Sequence, residues 1–197
     1  MKKLFAASLA LVCAFALAQT PPTQRLRGTV KSIDGATLVV VERSGETMSL
    51  SLADNFSVNE VVAIEPAAIK PNSFVGVASL PGTDGTLRAL EVLVFPETAR
   101  GTGEGHYEWD LQPGSMMTNA TVAELAATPQ GRTLKLRYKD GEKAVVVPDS
   151  VPIVTFKPGD KALLVPGAHV IVTTQMRDGK LTALRALAGR DGFTPPM

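Results

Sequence analysis

The sequence has 197 residues, of which 45% are hydrophobic and 20% are charged, a composition typical of a globular protein with one domain or two small ones. The formal charge of +1 gives no basic surplus of the kind that binds nucleic acid. A single Cys excludes a disulfide within the chain and a Cys-based zinc site, and two His exclude a centre built from a His cluster.

The first 18 residues predict a secretory signal peptide. Two lysines precede an apolar run from Leu4 to Ala18, and the small residues Ala16 and Ala18 predict cleavage before Gln19. The run is shorter than the ~20 residues that a membrane-spanning helix needs, although an uncleaved anchor is the alternative. We therefore expect an exported, periplasmic protein that does not span the membrane after cleavage. Cleavage removes the only Cys and two lysines, which changes the formal charge from +1 to −1.

The rest of the chain contains an internal repeat. Residues 26–96 match residues 118–189 in several blocks that occur in the same order, for example DGTLRAL at 84–90 against DGKLTAL at 178–184. A duplication of this length predicts two similar structural units. Three segments lie outside the units, which we interpret as an N-terminal linker at 19–25, a Gly-rich insert at 97–117 and a C-terminal tail at 190–197.

Both units predict short β-strands. Apolar and polar residues alternate in LRGTVK at 26–31 and LKLRYK at 134–139, and two-residue turns such as Asp140-Gly141 follow runs of this kind. One short segment in each unit, 66–70 and 160–165, predicts a single helical turn.

The last segment of each unit is compatible with a helix or a strand. The stretches at 87–95 and 181–187 are rich in Leu and Ala, but their position directly after Asp-Gly turns favours strands. We expect an all-β fold of two tandem OB-like, five-stranded small β-barrel repeats, each with a short helical turn. A unit of ~70 residues has a marginal core, so we expect the two barrels to pack against each other.

These residues resemble a family of bacterial exported domains of unknown function. Its core has the form Gly-x-Val-x-x-Ile-Asp-Gly-x-x-Leu-x-Val, which here extends from Gly28 to Val40. A later signature, Pro-Gly-x-x-Val followed by Asp-Gly-x-Leu-x-Ala, corresponds to 166–170 and 178–183, and the first unit departs from it with Asn72 in place of Gly. The resemblance covers nearly all of the chain after the signal peptide. It implies a β-barrel-like fold and export, without catalytic residues or an established activity.

The insert at 97–117 holds the residues that favour a chemical role. It contains the only Trp, one of the two His and two of the six Met. Its candidate ligands are His106, Glu104, Met116 and Met117, a set that suits copper, with zinc as the second choice. The alternative is structural, with Trp109 filling the junction between the barrels while polar residues keep the loop hydrated.

A basic stripe on one predicted strand is a second candidate site. Lys135, Arg137 and Lys139 point outward, and together with Trp109 they predict an interaction surface for a protein or an acidic envelope polymer. The alternative is a solvated strand face that protects against aggregation. No aromatic residue interleaves the stripe on the same face, because Tyr138 points the other way, so nucleic acid is not an expected partner. His169 takes the position of Phe74 in the repeat, which predicts a packed side chain.

The sequence offers no nucleophile elbow and no phosphate-binding glycine loop, and we therefore predict a non-enzymatic protein. The first hypothesis is a periplasmic binding or scaffold protein that interacts with protein or envelope components. The alternative is a metal-handling protein that binds copper or zinc in the insert. No other cofactor is expected.

Overall fold

A computed structural model describes residues 21–82, 85–129 and 131–196 of the chain. The predicted signal peptide at 1–18 lies outside these residues. In the described ranges no helix is long and apolar enough to cross a membrane.

The first half of the chain forms five strands: β1 (Thr23–Asp34), β2 (Thr37–Glu42), β3 (Thr47–Ala63), β4 (Phe74–Pro81) and β5 (Leu87–Val94). The second half forms seven: β6 (Gly105–Glu108), β7 (Met116–Thr128), β8 (Gly131–Tyr138), β9 (Gly141–Val147), β10 (Ile153–Gly159), β11 (His169–Arg177) and β12 (Lys180–Ala188). Short 3₁₀ turns lie at Pro66–Ala68, Glu97–Ala99 and Lys161–Leu163. The two predicted helical turns are therefore present, and β5 and β12 are strands, as their position after turns favoured. β1 begins inside the predicted linker at 19–25, because residues from Thr23 onward pair with β11.

The strands close two five-stranded rings. Ring A has the order β1-β2-β3-β12-β11, and a parallel pairing of β3 with β12 closes it. Ring B has the order β4-β5-β9-β8-β7, and a parallel pairing of β5 with β9 closes it. Fully buried leucines fill the interiors, among them Leu38 and Leu50 in ring A and Leu134 and Leu136 in ring B. The prediction of an all-β fold with small barrels is confirmed.

Each ring takes strands from both halves of the chain. Ring A combines β1, β2 and β3 with β11 and β12, whereas ring B combines β4 and β5 with β7, β8 and β9. The sequence placed each barrel within one range, 26–96 or 118–189, but the strand pairing builds each ring from both ranges. The physical reason is that alternation specifies which face of a strand is buried and does not specify its partner. Strand β3 extends beyond ring A to pair with β10, and the chain passes from there into ring B.

The two rings are joined by a shared strand and a shared apolar cluster. β10 pairs antiparallel with β3 and parallel with β5. A buried cluster lies at this junction, formed by Val61, Leu93, Val154, Ile171 and Leu187. The C-terminal tail belongs to it too, since Phe193 packs on the cluster and the Arg190 guanidinium lies 3.0 Å from Glu60. The outer faces of the two rings therefore meet in a fixed arrangement.

Candidate ligand site between the two barrels

A cavity of about 280 Å³ lies where the outer faces of the rings meet. Strands of both rings form its walls, and the insert after β5 forms its cover. The apolar part of the lining is formed by Leu93, Phe95, Tyr107, Trp109, Met117, Phe156, Ile171 and Leu187. The polar part includes Arg25, Glu91, Asn119 and Arg185. Concave, mainly apolar sites with a few polar groups are typical of small-molecule binding.

A β-bulge directs Glu91 into this cavity. The register between β4 and β5 shifts so that Ala78 lies opposite Glu91 while Ser79 lies opposite Ala89, which leaves Leu90 as an extra residue. Before the bulge, Ala89 packs inside ring B, and after it Val92 does so. Because side chains alternate along a strand, Glu91 faces out of the ring and toward the junction.

Glu91 is a fully buried carboxyl, and neither of its oxygens has a hydrogen-bond partner. Burial raises its pKa to about 8, although the positive charge of Arg27 acts in the opposite direction. At neutral pH the group is therefore mostly a protonated acid, which can both donate and accept a hydrogen bond. An unsatisfied group at this depth costs about 1–3 kcal/mol, so its presence calls for an explanation.

Two further residues at the cavity each have one buried polar atom without a hydrogen-bond partner. The Asn119 amide nitrogen donates to the Thr102 carbonyl and to the Tyr107 hydroxyl, each at 3.1 Å, but its Oδ1 accepts no bond. The indole nitrogen of Trp109 is also buried without an acceptor. Among the described residues, five buried side-chain polar atoms are unsatisfied, and four of them belong to residues that line this cavity. They provide an acceptor, a donor and an acid that can do either.

The cover of the cavity is an aromatic pair held by arginines. The rings of Tyr107 and Trp109 meet edge to face at 6.2 Å, and the Arg25 guanidinium lies 3.7 Å from the centre of the Trp109 ring. Asp110 fixes this arrangement, since its carboxylate lies 3.2 Å from Arg25 Nε and 2.8 Å from the Arg27 guanidinium. The face of Trp109 that a cation prefers is thus already occupied by Arg25.

Arg185 lies on the opposite wall and makes no ion pair or side-chain hydrogen bond with the described residues. It follows a second bulge, in which Thr173 lies opposite Arg185 and Thr174 opposite Ala183, so its side chain faces out of ring A. Desolvation lowers its pKa, and the charge of Arg25 adds to the effect, yet an arginine remains charged. Arg185 is exposed, so the cavity has on one wall a solvent-accessible cation that no described carboxylate pairs with.

The register of β6 and β7 separates the residues that the sequence grouped as metal ligands. His106 lies opposite Thr118, and Met117 lies opposite Tyr107. Directly opposed residues share a face and neighbours alternate, so His106 and Met116 lie on one face and Met117 on the other. Met117 is buried and lines the cavity, where no imidazole meets it.

His106 and Glu104 make their polar contacts with other groups of the protein. The His106 Nδ1 lies 2.9 Å from the Thr118 hydroxyl, and partial burial, together with the charge of Lys143, lowers the pKa of this imidazole. The Glu104 carboxylate accepts a hydrogen bond from the backbone N–H of Lys139 at 3.0 Å. The described parts of the chain contain no group of three or more His, Cys, Asp or Glu placed to hold a metal ion.

The basic stripe is paired with acidic side chains. Lys135 lies 3.1 Å from Glu124 and 3.5 Å from Glu142, and Arg137 lies 2.8 Å from Glu142. These exposed pairs contribute little to stability, but they compensate the charges of Lys135 and Arg137, while no ion pair among the described residues involves Lys139. Trp109 does not join this surface, because it lies in the cavity between the rings.

The prediction of a packed His169 is wrong. The imidazole is exposed, and its Nδ1 lies 3.4 Å from the Thr29 hydroxyl. Phe74, at the matching position of the repeat, is buried against Phe95 with the ring centres 5.3 Å apart. The two positions differ because one packs at the junction while the other lies on the outside of ring A.

The sequence reasoning missed Glu91, Asn119 and Arg185. A signal was present for the first and last, because Glu91 stands alone in the apolar run LEVLVF and Arg185 takes the corresponding place in LRAL. An ionisable residue stands at the same place in both units, acidic in one and basic in the other, and the two residues lie on two walls of the cavity.

No family model, curated protein sequence or solved structure matches the chain. The resemblance to exported bacterial domains stays a prediction, and a functional assignment has to come from the cavity itself.

Proposed function

We propose that the protein binds a small molecule in the cavity between its two barrels, and that it does so as an exported, non-enzymatic binding protein of the periplasm. One observation carries the proposal, namely that Glu91, Asn119 and Trp109, each with a buried polar atom that lacks a partner, line a single cavity. Buried polar groups in native proteins are almost always partnered, so groups without a partner inside the protein need one from outside it.

The size and walls of the cavity indicate the kind of molecule. About 280 Å³ lies near the lower end of the range for ligand pockets, which suits one ring with a short polar substituent. The aromatic and aliphatic walls would contact the body of such a molecule. At about 0.5 kcal/mol per non-hydrogen atom, a ligand of ten such atoms would bind with a Kd of a few hundred micromolar.

The other hypotheses from the sequence gain less support. The basic stripe around Lys135 and Arg137 is compensated by Glu124 and Glu142, so an acidic polymer would have to displace existing ion pairs. The copper or zinc hypothesis loses Met117 from its ligand set, because the β6–β7 register leaves only Met116 on the face of His106, and the described residues hold no group of three or more His, Cys, Asp or Glu placed for a metal ion. We therefore propose that the envelope component is a small molecule that binds in the cavity.

The test uses phenylacetamide, a neutral ten-atom molecule, and the protein expressed from its full gene and purified in the form that the cell produces. Trp109 is the only Trp, so its fluorescence reports on the cavity without a label. We expect a saturable change in emission and a rise in melting temperature with one site per chain. Absence of both effects up to about 10 mM, a concentration well above the expected Kd, would contradict the proposal.

A substitution that fills the cavity provides the control. A Cβ at Gly76 would lie 2.6 Å from the Asn119 side-chain oxygen and 3.1 Å from the Phe95 ring. Gly76→Val therefore places its side chain in the space that the ligand needs. We expect this variant to keep the far-UV circular dichroism of the wild type while it loses the response to phenylacetamide.

A further inference from the structure

The charges around the cavity do not balance. Arg25 and Arg185 are the guanidinium groups that line the cavity, and Asp110, the carboxylate that pairs with Arg25, is shared with Arg27. Glu91 adds little negative charge at neutral pH because the buried carboxyl is mostly protonated. The described surroundings of the cavity are therefore positive, and the excess lies nearest Arg185.

The positions of these charges also disfavour a cation as ligand. One face of the Trp109 ring already holds the Arg25 guanidinium, whose charge would repel an ammonium group placed in the cavity beside it. A cation beside Glu91 would need that carboxyl to ionise, and it would still lie within a cavity lined by Arg25 and Arg185. An anionic ligand meets no such repulsion and can pair with the exposed guanidinium of Arg185.

We propose that the ligand is a small anion with an apolar, ring-sized body, whose charged group pairs with Arg185 while its body packs against Phe95, Phe156 and the neighbouring aliphatic side chains. The oxygens of Glu91 and the indole nitrogen of Trp109 have almost no accessible surface, so Glu91 acts on the bound anion through its charge state and not through a direct hydrogen bond. This inference rests on the proposed function, since it assigns the chemistry of the same cavity.

Glu91 makes the binding of an anion depend on pH. The charged and titratable groups around this carboxyl come from β1, β6 with its following loop, and β12: Arg25, Arg27, Tyr107, Asp110 and Arg185. The arginines keep their charge, and burial raises the pKa of Tyr107 above its ordinary value of 10.0. Glu91 is therefore the group that changes charge between about pH 7 and pH 9. Its ionisation places a negative charge next to the ligand and weakens binding.

The experiment compares three molecules that share a phenyl body and differ in charge: phenylacetate, phenylacetamide and phenethylamine. They are titrated into the full-gene protein at neutral pH, with Trp109 fluorescence as the readout and calorimetry as the check. We expect phenylacetate to bind at least tenfold more tightly than phenethylamine and more tightly than phenylacetamide. Between about pH 7 and pH 9 the affinity for phenylacetate should fall about tenfold, because a group with a pKa of about 8 goes from mostly protonated to mostly ionised.

Two variants assign the effect to residues. Arg185→Gln should lower the affinity for phenylacetate to that for phenylacetamide, and Glu91→Gln should remove the loss of affinity between about pH 7 and pH 9. Arg88→Gln is the matched control, because Arg88 is an exposed arginine on the same strand as Glu91 and does not line the cavity. It should bind phenylacetate like the wild type. Circular dichroism and melting curves establish that each variant is folded.

The outcomes separate this inference from the proposed function. Tighter binding of phenethylamine, or equal binding of phenylacetate and phenylacetamide, overturns the inference while the cavity remains a ligand site. An undiminished affinity for phenylacetate in Arg185→Gln overturns it as well. Failure of all three molecules to bind contradicts the proposed function and the inference together.

Discussion

Replacement of Glu91 by Gln should stabilise the protein at alkaline pH and leave its stability nearly unchanged in acid. The pKa of Glu91 is raised by burial from the ordinary value of 4.5 to about 8 in the folded protein. In the unfolded chain the same group ionises near 4.5, so over this interval the folded protein holds a proton that the unfolded chain does not. Stability therefore falls as the pH rises through the interval, and the fall ends above the folded pKa.

The size of the effect follows from the width of the interval. Each pH unit across it costs about 1.4 kcal/mol, so the span from 4.5 to about 8 corresponds to about 5 kcal/mol. This value is an upper limit, because water that enters the cavity would solvate the carboxylate. Since natural domains are stable by about 5–15 kcal/mol, even half of the effect would be a large part of the total. Gln keeps the shape of the side chain and does not titrate.

The assay is urea denaturation of the wild type and of Glu91→Gln at about pH 5, 7 and 9, with the difference in free energy of unfolding as the readout. Titrations common to both proteins cancel in this difference. We expect the advantage of the Gln variant to grow steadily with pH. If the two proteins change in parallel from about pH 5 to pH 9, Glu91 is not a buried neutral acid, and the argument that its ionisation weakens the binding of an anion fails.

Glu60→Gln provides a control of opposite sign. Its carboxylate is paired with Arg190 and Lys157, and the hydrogen bond from Arg190 in particular lowers the pKa of Glu60. A lowered pKa gives stability that is present above the ordinary value of 4.5 and is lost as the pH falls through the folded pKa. Wild type should therefore be favoured over Glu60→Gln at neutral pH and lose that advantage in acid.

Three further predictions concern the fold and the cover of the cavity. Each ring needs strands from both halves of the chain, so the protein should unfold in a single transition. Leu38→Ala in ring A and Leu136→Ala in ring B should each destabilise that transition by about 2–5 kcal/mol. Two separate transitions in calorimetry would contradict this prediction. Gly28→Ala should be destabilising by at least ~2 kcal/mol in urea denaturation, since a Cβ there would lie 2.2 Å from a backbone carbonyl oxygen of β2, and a stability within error of wild type would refute the close approach. Ser115→Ala removes a buried hydroxyl that lies 2.8 Å from the Trp109 carbonyl, so it should cost about 1–3 kcal/mol and shift Trp109 emission to the red; an unchanged spectrum would show that this contact does not fix the cover.

Much of the secondary structure could be predicted because it depends on local patterns. The alternation at 134–139 and the turn at Asp140-Gly141 correspond to strand β8, a turn and strand β9. That each ring takes strands from both halves of the chain could not be predicted in the same way. Val75 and Val77 pack inside ring B, and Val170 and Val172 pack inside ring A, so β4 and β11 present the same inward residues. Strands with equivalent inward faces satisfy either ring, and the pattern leaves the choice open.

The candidate site was harder to predict because bulges and register decide it. The insert holds residue types that are rare in this chain, which predicted a site there, and two of its residues, Tyr107 and Trp109, line the cavity. The proposed ligand set was chosen by residue type, without knowledge that β6–β7 pairing puts His106 and Met117 on opposite faces. Glu91 reaches the cavity only because Leu90 is an extra residue in β5. Neither a register nor a bulge leaves a clear mark in a single sequence.

Because each ring takes strands from both halves of the chain, the proposed ligand site between the barrels has fixed walls. A five-stranded ring filled by residues such as Leu50 and Leu134 has little interior space, so a small molecule has to be held where the outer faces meet. In two independent barrels those faces would be free to separate, and a ligand would have to bring them together at a cost in affinity. Here the rings share both halves of the chain, and they cannot part without breaking strand pairs. The walls that carry Glu91 and Arg185 are therefore held in place before a ligand arrives, which lets a small cavity bind without first ordering the protein.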